Sequence, residues 1–380
     1  MGTLSAECDK ISIGKLQVPF KESFRHTTQE RHETDTVIVI AQGSSKLEGY
    51  GEGCPRPYVT GETTESALSF FRTVSHWLPK QVSLETLHAL KTELKEEIDA
   101  HPAAYCAIEM ALLDLLGKAT HQPLEDLLGT ARQQNSPHCS FVIGLDSFEE
   151  RLRKWHRALR MGFRHFKFKI SGTPEDLEFL NHGLQIKPKL RWPNRTPWSF
   201  RLDGNGCFDS VIQAANFLNK IAVPIDAVEE PLTLTHSVTD LVELSRRVGI
   251  PLILDENFTR QEQVEKLVPY KEHFILNLRL SKLGGILRTL DVIQRAQAEG
   301  IQMSLGCQVG ETSLLTRAQL IISNGMKAPS PLYFEGGFGP HLLLPDPASP
   351  PQGLKVGGKI RGISPQPGLG MKLDTSVLTF

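Results

Sequence analysis

The sequence predicts an α/β fold: a (β/α)7β barrel of the TIM type over residues 138–344, preceded by an α+β region over residues 1–130. Three observations predict it. Past residue 137, short apolar strands alternate with amphipathic helices, the pattern of parallel strands joined by helical crossovers. The alternation yields eight strands, a number that closes into a barrel. No Gly-x-Gly-x-x-Gly follows an early strand, which disfavours the competing open sheet that binds dinucleotides.

The elements follow in order. Lys10–Phe20, Thr36–Ala41 and Leu47–Glu52 read as strands from their β-branched or alternating apolar residues. Glu65–Leu78, Leu84–Ala100 and a long stretch from Ala103 to Leu128 read as helices, the last with Ala107, Met110, Ala111 and Leu115 at helical spacing. Thr130–Pro137 reads as a linker. The barrel strands are His138–Leu145, His165–Ile170, Phe200–Gly204, Ala227–Pro231, Pro251–Glu256, Phe274–Leu280, Gln302–Cys307 and Leu332–Gly336. Seven helices begin between them, near Ser147, Pro174, Asp209, Ser237, Gln261, Ile286 and Ser313. The segment 345–380 is rich in Gly and Pro and is expected to pack back on the N-terminal region. Arg191–Trp198, with two tryptophans and two prolines, is an insertion whose role the sequence does not explain.

Composition narrows the function. The chain has 380 residues, 40% of them hydrophobic, enough for a large core. A net charge of −1 gives no long-range field toward nucleic acid or an anionic membrane. No apolar run approaches a membrane span. Six scattered cysteines without a CxxC pair fit a reducing compartment, and MGTLSAECDK lacks a signal-peptide core. A cytoplasmic location is expected, with a symmetric homo-oligomer as the default assembly.

Chemistry in such a barrel sits at the C-terminal strand ends. Those ends carry Lys167 and Lys169 on the second strand, Asp203 and Asn205 on the third, and Glu229 and Glu230 on the fourth. The fifth carries Asp255 and Glu256, and the sixth Arg279 and Lys282. Asp203, Glu229 and Asp255 follow one another at steps of 26 residues, one βα unit each. A lone acid there is readily a helix cap or a loop charge. Three at matched strand ends would repel each other and raise each other's pKa values. A hard cation with oxygen ligands, Mg2+, relieves that repulsion. Lys167 and Lys169 are two apart and point to one side of their strand. Two lysines inside a barrel need a reason, and neighbouring positive charge can lower one of them into the range of a base.

At this point the residues resemble the enolase superfamily, and within it the muconate lactonising enzyme subgroup. The resemblance rests on KFK at Lys167–Lys169, LDGN at Leu202–Asn205, VEEP at Val228–Pro231, LDEN at Leu254–Asn257 and KLGG at Lys282–Gly285. GYGEGCPRPYVTGET (Gly49–Thr63) is similar to the capping-domain segment. The superfamily uses a Lys or His base with Mg2+. The resemblance implies that Asp203, Glu229 and Asp255 are metal ligands and that Lys169 is the general base. It implies that Lys167 lowers the pKa of Lys169 and touches the substrate carboxylate, and that Asn205 is a partner near the metal. Residues 1–130 and 345–380 become a cap whose loops, around Phe20–Gln29 and Pro55–Gly61, select substrate. Arg25, His26 and Tyr58 are their candidate contacts. Glu311 is a candidate for a substrate ammonium or a cap contact, and Glu335 for a substrate amino group.

The sequence departs from the subgroup at the sixth strand, where Arg279 stands in place of a second lysine. Arginine is a poor base but a good carboxylate fork. At the seventh strand Gly306, Cys307 and Gln308 offer no histidine, which disfavours the mandelate racemase branch. A one-base lyase, dehydratase or cycloisomerase acting on a small carboxylate is therefore the leading expectation. A racemase or epimerase of amino-acid derivatives or dipeptides is the second, and a non-catalytic barrel binding metal or metabolite the third.

Overall fold

Residues 4–25, 30–130, 137–186, 198–327, 331–360, 362 and 365–380 are described by the computed structural model. The N-terminal sheet is built on β1 (Ala6–Leu16). The single strand expected over Lys10–Phe20 instead breaks after Leu16. The Thr34 hydroxyl donates to the Leu16 carbonyl (2.9 Å) and accepts from the Val18 N–H (3.2 Å), and Pro19 has no N–H for a ladder. The chain restarts as β2 (Pro19–Arg25), which pairs with β3 (Glu30–Glu33) in a separate hairpin. Next come β4 (Thr36–Gly43) and β5 (Glu48–Gly53), in the order β1-β4-β5, all antiparallel.

Helices α1 (Pro57–Thr60) and α2 (Thr64–Val74) follow, then β6 (Gln81–Val82) beside β1. The helix expected over Leu84–Ala100 is two, α3 (Leu84–Glu93) and α4 (Lys95–Ala100), because Leu94 leaves helical geometry at ψ 24°. The long helix also splits, into α5 (Pro102–Ala119) and α6 (Leu124–Leu127), since His121 takes φ +55° and Pro123 cannot continue an α-helix.

Residues Pro102–Gly117 of α5 are all buried. Alternation in β5 puts Gly49, Gly51 and Gly53 on one face, toward this helix. A Cβ on them would stand 2.1, 1.9 and 2.0 Å from the carbonyl oxygens of Ala111, Ala107 and Ala103. Sheet and helix thus pack backbone against backbone.

The second sheet runs in the order β13-β12-β11-β10-β9-β8-β7, parallel throughout. Its strands are β7 (Ser140–Ile143), β8 (His165–Lys169), β9 (Ser199–Asp203), β10 (Ala227–Glu229), β11 (Leu252–Leu254), β12 (Phe274–Leu278) and β13 (Gln302–Leu305). The connections carry α7 (Phe148–Arg160), α8 (Pro174–Asn181), α9 (Val211–Leu218), α10 (Val238–Val248), α11 (Gln263–Leu267), α12 (Leu280–Leu283), α13 (Ile286–Glu299) and α14 (Ser313–Ser323).

The eighth strand, Leu332–Gly336, is irregular, yet it closes the ring. Leu332 and Glu335 donate to the Met303 and Leu305 carbonyls (3.0 and 2.8 Å), while Ser140 donates to the Phe334 carbonyl (2.9 Å). Beyond it, the described residues form the four-residue α15 (Gly339–Leu342) and a largely extended tail with β14 (Ala348–Ser349), β15 (Lys372–Leu373) and β16 (Leu378–Thr379). The last of these returns to β1, with Leu378 opposite Leu16.

Buried acids bolt the N-terminal sheet and helices to the barrel. Glu52 accepts from Thr312 N–H (2.9 Å) and Leu315 N–H (3.2 Å) at the start of α14, and Glu109 from Leu287 N–H (3.0 Å) at the start of α13. Helix N-termini offer such unpaired donors and favour negative charge. The insertion 191–197 lies outside the described residues, while Trp198 sets its ring edge-on to Trp155 at 5.4 Å. Among the described residues no helix is long and apolar enough to cross a membrane, and all six cysteines are free.

Candidate active site

The barrel interior is layered by the two-residue period of its strands. Ala227, Ile253 and Ile275 form an apolar floor with Leu332 and Tyr333. Above it, Lys167 and Lys169 face Asp203, Glu229, Asp255, Asn277 and Arg279, all buried. Lys169 is in register with Asp203, and Asp203 with Glu229.

Here acids and cations interlock. Lys167 Nζ lies 3.2 Å from Glu229, 2.9 Å from Glu335 and 3.4 Å from Asp203. Lys169 Nζ lies 3.0 Å from Asp203 and donates to Asn205 Oδ1 at 2.5 Å. Arg279 bridges Asp255 and Glu229, the latter at 3.6 Å, and donates to Gln308 Oε1 at 2.9 Å. Lys282, grouped by the sequence with the end of the sixth strand, is instead buried in α12. It donates to Asp255 Oδ1 (2.9 Å), the Asp255 carbonyl (2.8 Å) and the Asn277 carbonyl (2.7 Å).

Electrostatics follow from these partners. Burial would lower Lys167, but the carboxylates of Glu229, Glu335 and Asp203 outweigh it and hold the ammonium well up. Burial likewise opposes ionisation of Asp203, and Lys169 and Lys167 overcome it and push the acid well below the usual range. Glu229 is pushed up to about 7 by burial, despite Lys167. Glu311 is pushed up to about 8 by burial. Glu256 is raised by burial and by the charges of Asp255 and Glu230.

The candidate residues fare differently. Lys167, Lys169, Asp203, Asn205, Tyr58, Arg279, Glu311 and Glu335 all line one cleft of about 670 Å³. Glu229 and Asp255 lie beneath it, bonded to the lining cations. Glu335 lines the cleft while engaged by Lys167 (2.9 Å) and by Arg201 (3.2 Å). Glu311 accepts from the Gln308 N–H at 2.6 Å. The side chain of Arg25, which ends β2, and the whole of His26 lie outside the described residues.

Glu230 turns away from the site. With φ at +37° it accepts from the Asp255 and Asn257 N–H groups (2.6 and 2.8 Å) and from Asn257 Nδ2 (2.6 Å).

Three site residues escape the sequence reading. Asn277 donates to Glu229 at 3.2 Å, Gln308 holds Arg279, and Arg201 stacks 4.1 Å over Tyr333 while pairing with Glu335. The first and last stand two residues before Arg279 and Asp203, so strand alternation already puts them on the inner face.

Three buried acids make an all-oxygen donor set, and Asp203 Oδ1 has no hydrogen-bond partner among the described residues. In this conformation each acid is turned to a cation, and among the described residues no three acids are drawn into a ready ligand shell.

The chain matches two family profiles. One, described as "Mandelate racemase / muconate lactonizing enzyme, N-terminal domain", covers residues 11–129, and the other, "Enolase C-terminal domain-like", covers residues 150–377. The L-Lys-D/L-Arg epimerase of Methylococcus capsulatus is 30% identical over 338 residues, 86% of this chain and 90% of that one. The fold is that of a dipeptide epimerase from Cytophaga hutchinsonii solved with Mg and D-Ala-L-Val (TM-score 0.84, 22% identity, 100% and 99% of the two chains). It is also that of muconate lactonizing enzyme from Pseudomonas putida (TM-score 0.82, 23% identity, 98% of each).

Proposed function

Since the chain belongs to the mandelate racemase/muconate lactonizing enzyme family of the enolase superfamily, we propose that it abstracts the α-proton of a small carboxylate with Lys169 as its single base. Elimination or ring closure then follows. The observation that carries this reading is the state of the sixth strand. Arg279 faces the cleft there and stays protonated, while Lys282 is locked away by three hydrogen bonds. The face opposite Lys169 therefore offers a cation and not a lysine base.

Asp203, Glu229 and Asp255 fit Mg2+ and would hold it; when bound, the ion supplies a Lewis acid for charge on the substrate carboxylate. The chain's own groups do the rest. Asn205 fixes the direction of Lys169 through its 2.5 Å bond, a geometry that favours proton transfer to a defined face. Lys167, held protonated by its acid neighbours, faces the enediolate as a fixed positive charge. Arg279 presents its fork across the cleft to a carboxylate or leaving group.

The test is exchange in D2O with Mg2+ on a library of dipeptides, N-acyl amino acids, sugar acids and cyclohexadiene carboxylates, read by mass spectrometry. A substrate should gain deuterium at the α-carbon without inversion, and Lys169→Ala should abolish the gain. Exchange that survives Lys169→Ala sinks the proposal.

A racemase or epimerase is the second reading. The named activity of the Methylococcus relative favours it, and so does Glu311. Its raised pKa keeps a proton available near neutral pH, and it sits beside Gln308 on the Arg279 side. Inversion of the α-carbon during exchange selects this reading over the first.

A further inference from the structure

Arg56 has no part in the chemistry above, yet it is a charged side chain only 1% exposed. Burying a cation is costly unless partners hold it. Among the described residues its hydrogen bonds go only to backbone carbonyls, and these belong to three segments. Nη1 donates to Pro55 (2.5 Å) and to Asp35 (3.0 Å), in the turn between β3 and β4, while Nη2 donates to Val309, in the loop after β13. A planar fork can bridge such scattered acceptors, which the compact ammonium of a lysine does less well.

These bonds join two parts of the site. Arg56 opens the cap loop whose Tyr58 lines the cleft. The feet of that loop are fixed. Cys54 N–H donates to Ser281 Oγ in α12 (3.0 Å), and Glu62 accepts from the Ala103 and Ala104 N–H groups (2.8 and 3.0 Å) at the start of α5. Between the feet, Arg56 reaches across to the barrel loop 306–312. This loop holds Arg279 through Gln308 Oε1 (2.9 Å), and the Gln308 N–H is tied to Glu311 (2.6 Å). The cap presses on it from a second side. A Cβ on Gly310 would stand 3.3 Å from the Phe20 ring and 3.5 Å from Thr34 Cα. The segment that aims Arg279 is therefore seated between two pieces of the cap, and Arg56 is the polar grip on it. The charges of Arg56 and Arg279 both act on Glu311 and on Tyr58, as this closeness requires.

We propose that Arg56 is a positioning residue that latches the cap loop to the barrel loop 306–312, so that the placing of Tyr58 and the aiming of Arg279 are one event. When the cap loop lifts, the Val309 carbonyl is released and Gln308 loses its fixed hold on Arg279. The catalytic consequence rests on the proposed function, in which Arg279 faces the substrate.

Hydrogen exchange by mass spectrometry on the full chain with Mg2+ tests the latch directly, because local opening frees amides segment by segment. Arg56→Gln should speed exchange by about tenfold or more in both 56–61 and 306–312, and leave β10, β11 and β12 unchanged. Arg56→Lys, which keeps the charge and loses the fork, should do the same, and it carries the test if the glutamine variant does not fold. Faster exchange in 56–61 alone, or throughout the barrel, overturns the inference. A second arm follows α-deuteration of whichever library compound exchanges fastest in the parent. Arg56→Gln should lower kcat by about tenfold or more, and should add nothing to the loss caused by Gln308→Ala, since both act through Arg279. Losses that multiply overturn the inference as well. If no compound exchanges in the parent, the catalytic reading falls, and amide exchange alone decides for or against the latch.

Discussion

Glu229 and Glu230 are adjacent acids with divided duties. Glu229 points into the barrel among cations, whereas Glu230 takes a left-handed backbone and clamps the loop that carries Asp255. Few non-glycine residues adopt that conformation without a compensating contact, and three hydrogen bonds supply it here. Arg279 is the residue on which the reaction outcome turns. Arg279→Lys should create a second base across from Lys169, and inversion of the α-carbon in D2O should rise by about tenfold or more, followed by polarimetry or chiral chromatography. Unchanged stereochemistry would mean that the opposite face is governed by Glu311 or by water. Most of the site was legible because strands alternate and βα units repeat: Lys167, Lys169, Asp203, Glu229 and Asp255 lie where spacing puts them. Lys167 is held well up because three carboxylates surround it. The engagement of Glu335 was not legible, since spacing along one strand does not reveal which side chains meet across the barrel.

At the level of elements, the glycines of β5 explain how the N-terminal sheet lies so close to α5. Gly51 has the tightest approach, and Gly51→Ala must push sheet and helix apart. Overpacking of this kind costs about 1–3 kcal/mol or more, and it should appear as a lower urea midpoint with an unchanged slope. An unchanged midpoint would show that the two layers slide freely. The helices and barrel strands were readable from apolar periodicity. The hairpin of β2 and β3 was not, because KESFR and ERHE carry no alternating apolar residues to announce a strand. Its partners are set by Thr34 and by the tail beyond α15, both distant or irregular in sequence.

Across the molecule, buried carboxylates on barrel helix starts tie the two sheets into one body. Glu109 is pushed up to about 7 by burial, above the ordinary value for an unfolded chain. Its contribution to stability is therefore fully present below the unfolded pKa and is lost as pH rises through about 7. Glu109→Gln removes this titration, so its Tm relative to the parent should climb between pH 5 and pH 8, measured by calorimetry. A difference that stays flat with pH would show that the α13 N-terminus holds the charged form without cost. The pairing of β16 with β1 has a further consequence, for synthesis on the ribosome. Leu16 emerges early, but its register partner Leu378 follows only after the whole barrel has been translated. Until then β1 offers an open edge beside β4, a surface on which a nascent chain can pair wrongly with its neighbours. The barrel is thus made inside a loop whose two ends meet last, and the N-terminal sheet is finished after the domain it covers.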